Sequence, residues 1–515
     1  MAQGLATQRQ TDPRVIEIET DRVLAREMHH YGVIDLGSNS IRLVVYDDLS
    51  RAPFPRFNEK SLCALGAGMD DDGNLRPEAM EAALRAIRRF AAIAEAMQVQ
   101  RVDVLATEAT RKAKNRHVLV DAIRDLTGFE TRVLSGEEEA TYTASGVISG
   151  FFQPKGLVGD IGGGSLEVAE VVTDRVGDRL TSLPIGALPV VAMMEEGNAK
   201  DRIDEILQES LPPLLTEPVF YAIGGGWRAI ARIHIAMSEQ PIRVVHGYEI
   251  DAEEARALAR KIARMSSDEV AALPDVPSRR IDTLPASALV MSRVLKRLAP
   301  ERVVFSEYGL REGWLYRQLD ETEQYRDPLL ESAQAIGLPT ARVPGFSAAL
   351  GRWTEDLFPG ETQVERRLRL AACALTDMSW RDHVKVRATE SFQRLLQFPF
   401  IGVSHAERAF LATVLLARYG GKVEDEAKRV TEHLLTANEV KRAEILGRAL
   451  LLGHRFSASV PEILEQARLR IEADAVRLEI SDVARVPDSD AVQSRLKQLA
   501  KVTGIEQAEI VGEDG

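Results

Sequence analysis

Two short glycine-rich stretches, DLGSNS at residues 35–40 and DIGGGS at 160–165, each stand between an apolar run and a second run that alternates. Before the first lies YGVI and after it IRLVVYD; before the second lies GLVG and after it LEVAEVV. Both read as strand, loop, strand. A single glycine loop constrains little, but two with Asp, Gly and Ser in register imply a duplicated architecture. The Walker loop and the dinucleotide fingerprint both open a helix, whereas here the chain continues as a strand, so both are excluded. Between the two loops the pattern alternates. A helical spacing runs from about 76 to 97, a strand RVDVLATEA follows, and a further helix and strand lead to VLSGEEEA. Such alternation predicts an α/β fold.

Glycine lets main-chain N–H groups approach a ligand closely, and successive N–H groups in a tight turn make a nest that suits phosphate. Gly37, Ser38, Asn39 and Ser40 form one candidate nest, and Gly162, Gly163, Gly164 and Ser165 the other. An aspartate ends each first strand, and a carboxylate beside a phosphate nest is repulsive unless a cation or proton intervenes. Asp35 and Asp160 are therefore candidate metal-facing groups, with Mg²⁺ or Mn²⁺ the fitting ion and no organic cofactor expected. Glu167, two residues after Ser165, falls on the same strand face as Ser165, where it can face the loop or stand as a solvated hairpin glutamate. Glu137, Glu138 and Glu139 open a helix, where carboxylates serve as caps or, for one of them, as an acceptor of a proton from water. Arg111, Lys112 and Lys114 follow a strand in ATRKAKN, placed either for phosphate contact or on a solvated helix start.

With 515 residues, several domains are expected. Acidic residues outnumber basic ones 78 to 65, giving a formal net charge of −13, which argues against general nucleic-acid binding. Cys63 and Cys373, the only cysteines, exclude a disulfide framework. The first thirty residues are punctuated by charge, and no stretch offers the apolar length of a membrane span, so a cytoplasmic protein with a mobile N-terminal extension is expected. A third glycine run, in VFYAIGGGWRAIARI, precedes a helical pattern. From about 320 to 470 the chain reads as consecutive amphipathic helices, and from 471 onward as strand, helix, strand.

Together, VIDLGSNSIRLVVYD, ATEATRKAKN, LSGEEEA, GDIGGGSLEV and GLREG resemble the exopolyphosphatase and guanosine pentaphosphate phosphatase family, a branch of the actin, sugar kinase and Hsp70 superfamily. The resemblance implies two ribonuclease-H-like domains at 31–142 and 143–318, preceded by an extension at 1–30 and followed by a helical HD-like domain at 319–470 and a small α/β module at 471–515. It implies hydrolysis of the terminal phosphoanhydride bond of inorganic polyphosphate, Mg²⁺, and a homodimer. It places the catalytic base on Glu139, with Glu138 as a second candidate, the metal- and water-positioning acids on Asp160 and Glu167, and a phosphate-binding arginine on Arg111. The HD-type metal pair falls on Thr376 and Asp377, which leaves a second metal centre unexpected. Arg366, Arg367, Arg369, Arg381, Lys385, Arg387 and Arg394 are candidates for a polyphosphate channel or, equally, for solvated helix faces. Removal of the terminal phosphate of guanosine pentaphosphate is the alternative substrate, and an actin-like ATP-binding protein or a silent sensor are alternatives of another class.

Overall fold

The computed structural model describes residues 16–66, 69, 72–211, 218–481 and 489–512. Its first sheet forms around the first glycine loop. β1 (Tyr31–Leu36) pairs antiparallel with β2 (Ser40–Tyr46), and the turn is closed by Gly37 N donating to Ser40 O at 3.1 Å. β3 (Pro55–Leu62) extends the meander, while β4 (Arg101–Ala106) and β5 (Thr131–Val133) add in parallel on the other side, giving the order β3-β2-β1-β4-β5. β1 is central and lies between helical layers on both faces, which accounts for its nearly unbroken apolar run. The predicted helix is Pro77–Ala96, started by proline in the first turn.

The second sheet repeats the plan. β6 (Lys155–Ile161) pairs antiparallel with β7 (Leu166–Val172), and Gly162 N donates to Ser165 O at 2.9 Å. β8 (Arg175–Leu183) continues the meander; β9 (Val219–Ile223) and β11 (Arg302–Phe305) add in parallel, and β10 (Tyr248–Asp251) forms an antiparallel edge. The order β8-β7-β6-β9-β11 matches the first sheet strand for strand. The duplication expected from the paired loops is thus present in the mixed α/β fold.

Two helices lie between the sheets. Gly136–Gly150 packs Ala140, Ala144 and Val147 on the second sheet, and Leu310–Gln318 packs Trp314 and Leu315 on the first. They cross at glycines: a Cβ at Gly313 would stand 1.6 Å from Tyr142 O, and one at Gly146 2.3 Å from Gly309 O.

Beyond residue 320 the described chain is helical up to residue 464, including Pro328–Gly337, Gln363–Leu375, His405–Arg418 and Ala437–Ser457. The terminal stretch differs from the single strand expected at its start: RLRIEADAVRLEIS folds as a hairpin, β12 (Ala467–Ile471) with β13 (Ala475–Ile480), and β14 (Gln507–Gly512) joins β13 in parallel after the helix Asp490–Thr503. The intervening Glu-Ala-Asp tripeptide is short enough to turn within what sequence periodicity reads as one element. Leu469, Leu478 and Leu496 share one core with Leu411 and Leu450 of the helices.

Part of the expected extension is docked. Residues 1–15 lie outside the described residues, but Ile16 is buried against Leu330 and Leu370, and Arg22 bonds the Glu331 carboxylate. Two of the candidate channel arginines are buried as well. Arg367, 0% exposed, donates to Asp327 at 2.6 Å and to Gly402 O at 2.5 Å and covers the Phe152 ring. Arg369 pairs with Glu361 at 2.9 Å. Both are therefore structural, since the apolar face of their helix draws them inward toward carboxylates. Asp377 is buried between Arg342 (2.7 Å) and Arg418 (3.5 Å), while Thr376 bonds His454 at 2.9 Å, so guanidinium groups fill the surroundings of the Thr376–Asp377 pair. Removing one member of a buried pair strands the other charge. Arg367→Ala is expected to cost about 3–5 kcal/mol in denaturant unfolding, whereas Arg366→Ala, at an exposed position, leaves the midpoint within experimental error.

Candidate active site

The two hairpins bring their loops together. A Cβ at Gly163 would meet Ser38 Cβ at 3.2 Å, so the nests touch across the cleft. Between them lies an inner cavity of about 200 Å³ lined by both loops, with Asp35, Glu139, Asp160 and Glu167 on its walls.

Strand register explains the carboxylates. Asp160 and Glu167 are direct partners across the β6–β7 ladder, and side chains of opposed residues point to one face. Thr143 donates to Asp160 Oδ2 at 3.4 Å and Ser182 to Glu167 Oε1 at 2.9 Å. Burial, and then the nearby Asp35 charge, push Asp160 up to about 6. Burial also raises Glu167, with Asp160 adding to it, and raises Glu139, with Glu167 adding to it. Burial is the first cause in all three, and it outweighs the opposing charges of Arg228 on Asp160 and of Arg111 on Glu139.

Glu138 and Glu139 part company through helical phase. Ser135 caps the helix and Glu138 returns the bond to Ser135 N at 2.8 Å, completing a capping box, while its other oxygen accepts from Arg132 at 2.6 Å. Glu138 is therefore not a wall of the pocket. Glu139, one position on, is buried, and its Oε2 makes no hydrogen bond, although Arg111 Nη1 lies 3.0 Å away as an ion pair.

Two other expected site residues have partners within the protein. Arg111 does not line the pocket: it donates to Leu134 O at 2.7 Å and faces Glu139, so its reach is spent on holding that carboxylate. Asp35, expected beside a metal, accepts from Arg311 Nη1 at 3.0 Å and stands opposite Arg42 in the ladder, so guanidinium groups already offset its charge. Burial nonetheless raises it.

The arginines were the chief omission. Arg42, Arg228, Arg280 and Arg311 all line the inner cavity, with Lys60 beside them. Arg42 occupies the place in its hairpin that Glu167 occupies in the other, seven residues after the aspartate, a signal that superposing the two loops reveals. Arg311 stands in the quoted GLREG. Arg228 rides one turn into the helix Gly225–Met237 that opens at the third glycine run, where Gly224 adopts φ +100°.

An outer cavity of about 510 Å³ continues from this basic side through Arg42, Lys60, Arg228 and Arg280 to Arg232 and Arg279, with Phe400 of the helical region on its far wall. No carboxylate of the described residues pairs with Lys60, Arg232, Arg279 or Arg280. Burial and the neighbouring guanidinium groups lower Arg280 to about 10 and Lys60 to about 8. The site thus has an acidic half and a basic half. No set of three His, Cys, Asp or Glu among the described residues can by itself hold a metal ion. A hydrated Mg²⁺ needs only one or two carboxylates with waters and phosphate oxygens, and the adjacent Asp160–Glu167 carboxylates, neither in an ion pair among the described residues, fit that donor set.

An acid whose folded value is raised costs stability as pH rises through the interval between its two values. For Asp160 that interval runs from 3.8 to about 6. Asp160→Asn is therefore expected to stabilise the chelator-treated protein by about 2–3 kcal/mol above pH 7, the gain fading as pH falls from about 6 and gone below 3.8. Denaturant unfolding of both proteins across this range checks the sign.

The geometry agrees with what the chain is similar to. The Ppx/GppA phosphatase family matches residues 44–322, and the C-terminal region of exopolyphosphatase matches 329–511. Retrograde regulation protein 2 of Saccharomyces cerevisiae is 26% identical over 458 residues, spanning 81% of this chain and 77% of that one. Exopolyphosphatase 1 of Mycobacterium tuberculosis is 30% identical over 319 residues, spanning 59% and 91%. The crystal structure of an exopolyphosphatase from Cytophaga hutchinsonii superposes with a TM-score of 0.51 at 25% identity, over 57% of this chain and 99% of that one. No helix of the described residues is long and apolar enough to cross a membrane. With its glycine loops, acidic wall and matched segments in one order, the chain belongs to the Ppx/GppA phosphatase family, hydrolases of phosphoanhydride bonds.

Proposed function

We propose that this protein is an exopolyphosphatase that removes the terminal phosphate of inorganic polyphosphate as orthophosphate. The observation that carries the reading is the continuity of the carboxylate pocket with a basic cavity in which Lys60, Arg232, Arg279 and Arg280 have no carboxylate partner among the described residues. A chain of phosphates offers one negative charge per unit along its length, which suits such a row.

In this reading the glycine loops hold the terminal phosphoryl group through main-chain N–H groups, and Arg228 and Arg311 face its oxygens. Glu139 accepts a proton from the attacking water, which it orients from the wall of the pocket. The water oxygen bonds to the terminal phosphorus as the bridging P–O bond breaks, and the shortened chain departs toward the outer cavity. Asp160 and Glu167 would hold a divalent cation, Mg²⁺ or Mn²⁺; when bound it supplies positive charge against the phosphoryl oxygens. Burial first, and then the Glu167 charge, push Glu139 up to about 9, so a cation held by Asp160 and Glu167 would favour the ionised form that accepts a proton.

In the same reading the two sheet-bearing halves are ribonuclease-H-like domains, 31–142 and 143–318, and 319–470 is an HD-like domain without the HD pair, followed by the module 471–515. Removal of the 5′-terminal phosphate of guanosine pentaphosphate is the second reading.

Orthophosphate release from long-chain polyphosphate and from guanosine pentaphosphate, measured with Mg²⁺, separates the two. Glu139→Gln is expected to lower kcat by about 10²–10⁴-fold on the true substrate. Arg280→Glu is expected to raise KM for long polyphosphate and to flatten its dependence on salt; an unchanged KM would remove the outer cavity from the reading.

A further inference from the structure

Glu108 lines the inner cavity and has no part in the reaction described above. It opens the short helix Glu108–Lys112 directly after β4 and is 7% exposed. Its Oε2 accepts from Ser38 Oγ of the first loop at 3.3 Å, and its Oε1 from Lys112 Nζ at 2.5 Å. The same Oε2 lies against the second loop so closely that a Cβ at Gly164 would stand 1.3 Å from it. The third glycine of DIGGGS thus has a local cause: it leaves room for this carboxylate. Glu108 belongs to the first half, so it spans the seam between the two nests.

A fixed negative charge at that seam opposes any anion held by either loop. Lys112 offsets it incompletely, because the lysine side chain is half exposed and screened by water. A longer polyanion has Arg232 and Arg279 of the outer cavity to hold it beyond the loops, whereas orthophosphate, once cleaved, has the loops and the inner walls alone.

We propose that Glu108 is a positioning residue that joins the two glycine loops across the cleft and whose charge keeps orthophosphate weakly held there, so that the product leaves. The proposal rests on orthophosphate being the product, as in the reading above. Neutralising Glu108 strengthens the binding of orthophosphate, while a shorter acid in its place retains the repulsion.

Equilibrium dialysis of radiolabelled orthophosphate against the full chain, without turnover, tests this for wild type, Glu108→Gln and Glu108→Asp. Glu108→Gln is expected to bind orthophosphate about fivefold or more tightly, the low end of what one unit charge a few ångströms away does between water and protein interior. Glu108→Asp is expected to stay near wild type. Equal or weaker binding by Glu108→Gln, with its melting temperature unchanged, overturns the proposal, and so does the same gain in Glu108→Asp, which would assign the effect to space and not to charge. Absence of binding in all three overturns it too. Polyphosphate hydrolysis by wild type is assayed separately, so loss of the exopolyphosphatase reading and loss of the role of Glu108 appear as different results.

Discussion

The whole site depends on two helices that approach to a distance only glycine allows. Gly136–Gly150 covers the second sheet and Leu310–Gln318 the first, so their crossing at Gly146 and Gly313 is the joint between the halves. Each helix begins at the cleft, one carrying Glu139 and the other Arg311 in its first turn. A side chain at either glycine would meet backbone and push the sheets apart, and an ion pair such as Arg311–Asp35, at 3.0 Å, does not survive a shift of that size. Packing, far from the chemistry, thereby sets the spacing of the chemical groups.

The duplicated hairpins supply the second constraint, through what differs between them. Both have an aspartate at the end of the first strand and the same closing hydrogen bond, and the residue opposite the aspartate is Arg42 in one and Glu167 in the other. One substitution within a repeated frame divides the pocket into halves of opposite charge. Where Asp35 meets guanidinium groups its charge is answered. Where Asp160 meets Glu167 no guanidinium pairs with either among the described residues, and burial raises both. A polyanion with a divalent cation is the complement of such a surface, each charge facing its opposite.

Much of this was legible in the residues. The loops, the α/β alternation and the inward reach of Asp160 and Glu167 follow from glycine runs and a period of two. The choice between Glu138 and Glu139 was legible too, because Ser135 and Glu138 form the S-x-x-E pattern of a capping box and so assign Glu138 to the helix end. Arg42 needed only the superposition of one loop on the other. Arg228, Arg232, Arg279 and Arg280 were not legible, since a cation on a helix or loop looks the same whether it faces solvent or a cavity, and only the tertiary arrangement gathers these four. Arg367 failed in the opposite direction: its partner Asp327 stands forty residues away, so nothing local separates a buried arginine from an exposed one.

That buried arginine changes how the helical region bears on the site. Arg367 holds Gly402 O, and Gly402 N in turn donates to Gly150 O at 2.7 Å, at the end of the helix that carries Glu139. Residues 397–401, immediately before Gly402, include Gln397 and Phe400 of the outer cavity wall. The far wall is therefore fastened to the second half by one backbone bond, at a residue that the buried Arg367 holds from the other side. Arg367 thus bears on the cavity through its packing, from a position that solvent does not reach.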